Sequence, residues 1–151
     1  MKIALAADHA GYPLKQHLIE YLSKQGHEVI DLGTNDPTQP DDYPDYSEAI
    51  AHAVLDGRAE RGILACGSGV GASVAANKFR GIYCAVCHDH YSAHQGVEHD
   101  RMNVLAIGAR IIGTVTAEEL ADAFIAAQPS SEERHVRRFG KVQAIEARED
   151  K

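Results

Sequence analysis

The chain lacks any uncharged apolar run approaching the length of a membrane-spanning helix. Its first apolar stretch, Met1 to Ala7, meets Asp8 too soon to form the apolar centre of a signal peptide, so a cytoplasmic location is the expectation. Cysteine is scarce and odd in number: Cys66, Cys84 and Cys87 cannot all pair within one chain, and 151 residues need no disulfide staple. Basic residues are in deficit, 15 against 22 acidic ones, giving a formal charge of -7. That balance opposes the phosphate neutralisation on which nucleic-acid binding depends, so neither nucleic acid nor an anionic membrane is expected as a partner. With 13 glycines, 5 prolines and 25% charged residues, the composition is neither fibrous nor disordered.

What is present is hydrophobic content of 44%, enough in a chain of this length for one ordinary core. The expectation is a single domain over residues 1–151 with a C-terminal helix from about residue 131. Lys2 to Ala7 reads as a strand, followed by a helix behind Pro13 whose Leu14, Leu18, Ile19 and Leu22 recur at helical spacing until Gly26. Val29, Ile30 and Leu32 form a second strand, and the polar, proline-bearing stretch Gly33 to Pro44 reads as a loop. Asp45 is placed to cap a helix carrying Ile50, Ala53 and Val54, which Gly57 ends before the buried-type strand Gly62 to Cys66.

The alternation continues with a helix over Val70 to Lys78, a strand from Ile82 to Cys87, a helix from about Tyr91 to Glu98 and a strand Val104 to Ile107. Thr116 to Glu119 reads as a capping box opening a helix to about Ala127, and Ser130 to Glu133 opens a last one carrying Val136, Phe139, Val142 and Ile145. Five short strands alternating with helices point to an α/β fold: a doubly wound, Rossmann-like parallel sheet with helices on both faces. Ligands then belong at the carboxyl ends of the strands.

Those ends carry Asp8-His9, Cys66-Gly67-Ser68-Gly69-Val70-Gly71 and Asp89-His90. The alternate glycines leave backbone N–H groups unshielded while the next helix aims its positive end at the same place, a nest suited to an anion. Cys66 stands at its lip, where the helix terminus favours thiolate, so it is a candidate nucleophile or general base; the plainer reading is a small buried hydrophobe. Gly67, Gly69 and Ala72 also fit a dinucleotide fingerprint with Asp89 about 20 residues on, but the motif follows the third strand and no second domain remains for a hydride-transfer substrate.

The run Cys84-Ala85-Val86-Cys87-His88-Asp89-His90 suggests zinc or a redox pair, yet residues three apart on a strand face opposite sides, which favours ordinary strand filling. His90, Tyr91 and His94 are candidates to line the crevice. In the last helix Arg134 and Arg138 stand one turn apart with His135 and Arg137 beside them, a geometry that either grips a phosphate or forms a solvated basic face.

Over nearly its whole length the sequence resembles the ribose-5-phosphate isomerase B and galactose-6-phosphate isomerase family. The resemblance rests on Ala7 to Gly11, Asp42-Tyr43-Pro44-Asp45-Tyr46, Cys66 to Gly71, Ala75-Ala76-Asn77-Lys78, Asn103 to Gly108 and the Arg134 to Arg138 tail. It implies an aldose–ketose isomerase acting on a sugar phosphate without metal or cofactor, as a homodimer or dimer of dimers with shared active sites. It implies Cys66 as the base moving a proton between C2 and C1 through an enediolate held by the amides of Gly67, Gly69, Val70 and Gly71. Ser68 stands where the family has Thr or Ser and would serve the sugar oxygens.

By the same resemblance His99, with Asp8 opposite, would open the furanose ring, and Tyr43 would line the sugar site. His9, Arg134 and Arg138 would bind the phosphate, while His99, Asn103 and Arg110 would reach in from the partner subunit. One branch of the family has a glutamate base soon after the nest; Ala72 here leaves Cys66 in that role. Asp100 departs from the asparagine that many relatives carry beside the ring-opening histidine, and bears on substrate choice. The expected reaction is ribose 5-phosphate to ribulose 5-phosphate, the alternatives being another sugar phosphate (allose 6-phosphate, galactose 6-phosphate or a tetrulose 4-phosphate) or a non-catalytic sugar-phosphate or nucleotide binding module.

Overall fold

The computed structural model describes residues 1–149; the last two residues of the expected domain, 150 and 151, lie outside the described residues. In chain order the elements are β1 (Lys2–Ala7), α1 (Tyr12–Lys24), β2 (Glu28–Asp31), α2 (Tyr43–Leu55), β3 (Arg61–Cys66), α3 (Val70–Ala76), β4 (Cys84–Val86), α4 (His90–Asp100), β5 (Val104–Gly108), α5 (Thr114–Ala126) and α6 (Glu133–Glu149). The five strands pair in parallel in the order β2-β1-β3-β5-β4. This is the doubly wound sheet that the alternation predicts.

The central strands read as unbroken apolar runs because both faces are covered. Ile3, Leu5, Ile63, Leu105 and Ile107 meet Leu14 and Leu18 of α1, Val97 of α4, and Leu120 and Phe124 of α5. On the other face Ala4, Ala6, Leu64, Val104 and Ala106 meet Ile50 and Ala51 of α2 and Ala72 and Ala76 of α3. Burying each of the large side chains contributes about 1.5–3 kcal/mol. Helix α6 lies outside these layers, packed on α4, with Phe139 edge-on to Tyr83 at 4.9 Å.

Several boundaries differ from the sequence reading. Helix α2 starts at Tyr43 behind Asp42, so Asp45 sits inside its first turn and is not the cap; Pro44, read as loop, is tolerated there because a first-turn N–H has no helical acceptor. Helix α5 starts at Thr114 behind an extended Gly113, which puts the Thr116 box within the helix. Helix α6 starts at Glu133, two residues beyond the expected 131, and α3 ends at Ala76. Strand β4 is only three residues long. The Asn103 carboxamide oxygen takes the N–H of Tyr83 just before the strand, and that of Asn77 takes the N–H of Cys84 on its open edge, both at 2.8 Å.

From β1 the chain proceeds to β2 on one side and, after α2, to β3 on the other. The gap between the carboxyl ends of β1 and β3 is therefore a topological switch point, where an open α/β sheet leaves a crevice for a ligand. Asp8 follows β1 there, and Cys66 ends β3.

Candidate active site

Cys66, 6% exposed, is fixed by the turn that follows it: the Gly69 N–H donates to Sγ at 3.0 Å. That turn needs glycine, since Gly69 has φ +84° and a Cβ there would press on the Ile107 backbone at 3.2 Å. The Val70 N–H donates to Ser68 Oγ at 3.3 Å, so two of the nest amides hold the two candidate reactive side chains. Tyr43 opens α2 and lays its ring across the nest; a Cβ on Gly71 would stand 2.8 Å from that ring. Ser47 Oγ, within hydrogen-bond distance (3.1 Å) of both the Tyr43 and Ala72 carbonyls, fixes α2 against α3.

Asp8, Tyr43, Cys66, Ser68 and Arg110 line one cavity of about 320 Å³ at the switch point. Asp8 is held by the Gly11 N–H at 2.9 Å. Arg110 belongs to the turn after β5: its N–H donates to the Gly67 carbonyl at 3.1 Å, and its guanidinium lies over Gly67. The resemblance places Arg110 with the residues reaching in from a partner, but the turn puts it in the cavity of its own chain. His9 stands beside this group with Nδ1 2.6 Å from Asp41.

The remaining expected residues form a second group at the opposite end of the sheet. Helix α4 starts at the carboxyl end of β4 and returns to the amino end of β5, a rise of about 16 Å, which carries His99 a full sheet depth from Cys66 of the same chain. The His99 ring stacks on His135 of α6 at 3.8 Å, and its Nδ1 lies 2.8 Å from Gln95 Nε2. Arg134 Nε donates to His135 Nε2 at 3.1 Å, and Arg138 follows one turn later on α6. His9 and the two arginines, expected around one phosphate, are therefore apart within one chain.

Asn103 is engaged elsewhere. Its carboxamide donates to the Gly81 carbonyl and accepts from the Tyr83 N–H, both at 2.8 Å, bracing the turn before β4. Asp100 accepts from Gln95 at 3.2 Å and borders a separate cleft of about 460 Å³ along β4, which shares no lining residue with the Cys66 cavity. His90, Tyr91 and His94 do not line the Cys66 cavity either; they lie together along the first turns of α4.

Cys84 and Cys87 pack on opposite faces of the sheet, as strand geometry requires. Burial pushes their thiols up to about 12 and about 11. His88 accepts the Gly108 N–H at 2.9 Å and so braces the end of β5. Among the described residues no three His, Cys, Asp or Glu side chains stand together as a metal site. Two contributors were missed in the sequence: Asp41, whose partner is 32 residues away, and His135, seen only as a neighbour of the arginines.

Residues 3–142 match the Ribose/Galactose Isomerase family. Ribose-5-phosphate isomerase B of Escherichia coli is 44% identical over 147 residues, covering 97% of each chain. D-erythrulose-4-phosphate isomerase of Pectobacterium atrosepticum is 40% identical over 128 residues, covering 85% of this chain and 84% of that protein. The solved structure of Clostridium thermocellum ribose-5-phosphate isomerase B superposes with a TM-score of 0.93 at 42% identity, over 98% of this chain and 99% of that one. The chain belongs to the ribose/galactose isomerase family and is an isomerase.

Proposed function

We propose that the protein interconverts ribose 5-phosphate and ribulose 5-phosphate at a site completed by a second copy of the chain. The observation that carries this reading is the Cys66 sulfur, directed by the Gly69 N–H into a cavity that also holds Asp8, Ser68 and Arg110. A base, a hydroxyl and a guanidinium converging on one crevice suit proton transfer next to a carbonyl.

The steps balance without an external oxidant. His99 of the partner subunit, with Asp8 opposite, opens the furanose to the aldehyde. The Cys66 thiolate takes the proton from C2, and the C2–H electron pair forms the C1–C2 double bond as charge moves onto O1. The nest amides not engaged by Cys66 and Ser68, together with the Arg110 guanidinium, stabilise that enediolate. Ser68 Oγ passes a proton between O2 and O1, and the thiol returns its proton to C1, giving the ketose. His9 of one chain and Arg134 and Arg138 of the other hold the phosphate. In one chain α4 and α6 present His99, Arg134 and Arg138 together at the end of the sheet away from Cys66, an arrangement suited to use by a two-fold partner.

Proton NMR of ribose 5-phosphate with the enzyme in heavy water tests this. Ketose signals with deuterium at the exchanged carbon are expected; an unchanged C2 proton overturns the reading. The similarity to an erythrulose-4-phosphate isomerase favours a second reading, a four-carbon substrate. Turnover of a tetrulose 4-phosphate with none of the pentose phosphate would establish it.

A further inference from the structure

One carboxylate holds His9 twice. Asp41 Oδ1 accepts the His9 backbone N–H at 2.9 Å and lies 2.6 Å from Nδ1 of the ring. Asp41 reaches this position from the loop between β2 and α2, and its side chain is 15% exposed against 40% for His9. The hydroxyls of Thr34 and Tyr46 lie beside the carboxyl. Burial alone would push Asp41 up, but the interactions with His9, Tyr46 and Thr34 together outweigh it and hold the carboxyl below its usual range. Titratable groups around the pair include Asp8 and Asp42, each next in the chain to one of the two, and Tyr46 and Asp45 of α2.

A carboxylate can only accept, so the ring nitrogen facing Asp41 must be Nδ1–H. Nε2 is then the ring's remaining polar atom. Unprotonated, it presents a lone pair that repels an anion; protonated, it donates to one, with its charge balanced from behind by Asp41.

We propose that Asp41 is the positioning residue for phosphate capture: it fixes the His9 ring and its Nδ1 proton so that Nε2 takes up a proton and closes on the substrate phosphate. This rests on the reading of His9 as a phosphate ligand. The loop between β2 and α2 is thereby tied to the anion site by a single side chain.

Asp41→Asn keeps an oxygen acceptor and removes the charge. It should raise KM for ribose 5-phosphate and the inhibition constant of inorganic phosphate together, each about tenfold, with kcat within about twofold. The alkaline fall of kcat/KM should move to lower pH. In a His9→Asn background the same substitution should add nothing. If His9→Asn raises both constants and Asp41→Asn raises neither, the positioning role is overturned and the His9 reading stands. If His9→Asn raises neither, both fall. Equal effects of Asp41→Asn with and without His9 would reduce Asp41 to loop structure and also overturn the proposal. Nitrogen NMR of His9 in the unaltered enzyme needs no variant: both ring nitrogens should be protonated in the phosphate complex, and a neutral ring there overturns the proposal.

Discussion

His99 and His135 stack face to face, with ring centroids 3.8 Å apart and planes inclined by 17°. Two charged imidazoles at that distance would repel, so the stack depends on one remaining neutral. His135 is that one: burial first, then the charges of His99, Arg134 and Arg138, push it below the ordinary histidine value of 6.5, against a smaller opposing pull from Glu132.

The sign of the resulting pH dependence follows. A histidine whose folded value lies below its unfolded one binds fewer protons when folded, so its contribution is complete above about pH 6.5 and is lost as pH falls below that. The melting temperature of the native protein should fall more between about pH 7 and pH 5 than that of His135→Phe, which keeps a flat ring without a titrating nitrogen. Parallel curves would show that His135 is not the group responsible.

The separation of His99 from Cys66 within one chain yields a mixing experiment. Cys66→Ala and His99→Ala should each lower kcat about a hundredfold or more, since on the proposed reading one removes the base and the other the group that opens the ring. If two chains share each site, a reassorted mixture of the inactive variants contains hybrids with one intact site and should regain about a quarter of native activity. No recovery, with exchange of subunits verified by mass, would place both groups in one chain's site or neither in it.

Much of this arrangement was legible in the sequence for a local reason. β1, β3 and β5 are buried on both faces, so each prints an unbroken apolar run, and the Cys66 to Gly71 turn is specified by residues within a few positions of one another. What stayed hidden depends on contacts across the chain. Nothing near Asp41 announces His9, and nothing near His99 announces His135. The shortness of β4 is hidden too: the Tyr83 N–H just before it is taken by the side chain of Asn103, 20 residues on. Arg110 was misplaced because the residues around it do not show that its turn folds back over Gly67.

Thiol chemistry separates the three cysteines. Burial holds the Cys84 and Cys87 thiols up at about 12 and about 11, so at about pH 8 almost none of either is thiolate. Iodoacetamide on the folded protein should therefore leave both unmodified, and mass spectrometry should show at most one adduct, on Cys66. Saturating ribose 5-phosphate should protect that position. Rapid modification of Cys84 or Cys87 before unfolding would contradict the packing of Cys87 within one apolar layer and of half-buried Cys84 against the other.

Lys15 offers a test of the scaffold beneath the loop that carries Asp41. The Lys15 side chain is fully buried, and its ammonium donates to Asp31 Oδ1 at 2.5 Å and to the Thr34 carbonyl at 2.9 Å. Asp31 Oδ1 also accepts the Gly33 N–H at 3.0 Å, so one lysine ties α1 to the end of β2 and the start of the loop. Lys15→Met would leave the Thr34 carbonyl without this donor and Asp31 without its cation. Asp31 is about one-third exposed and can turn to water, which moderates the loss below that of a wholly buried pair. Urea unfolding should show a cost of about 2–3 kcal/mol for Lys15→Met. Asp31→Asn, which keeps an oxygen facing the ammonium, leaves that buried charge uncompensated and should cost at least as much. A loss well under 1 kcal/mol for both would mean that apolar packing alone holds the loop, and KM should then be unchanged as well.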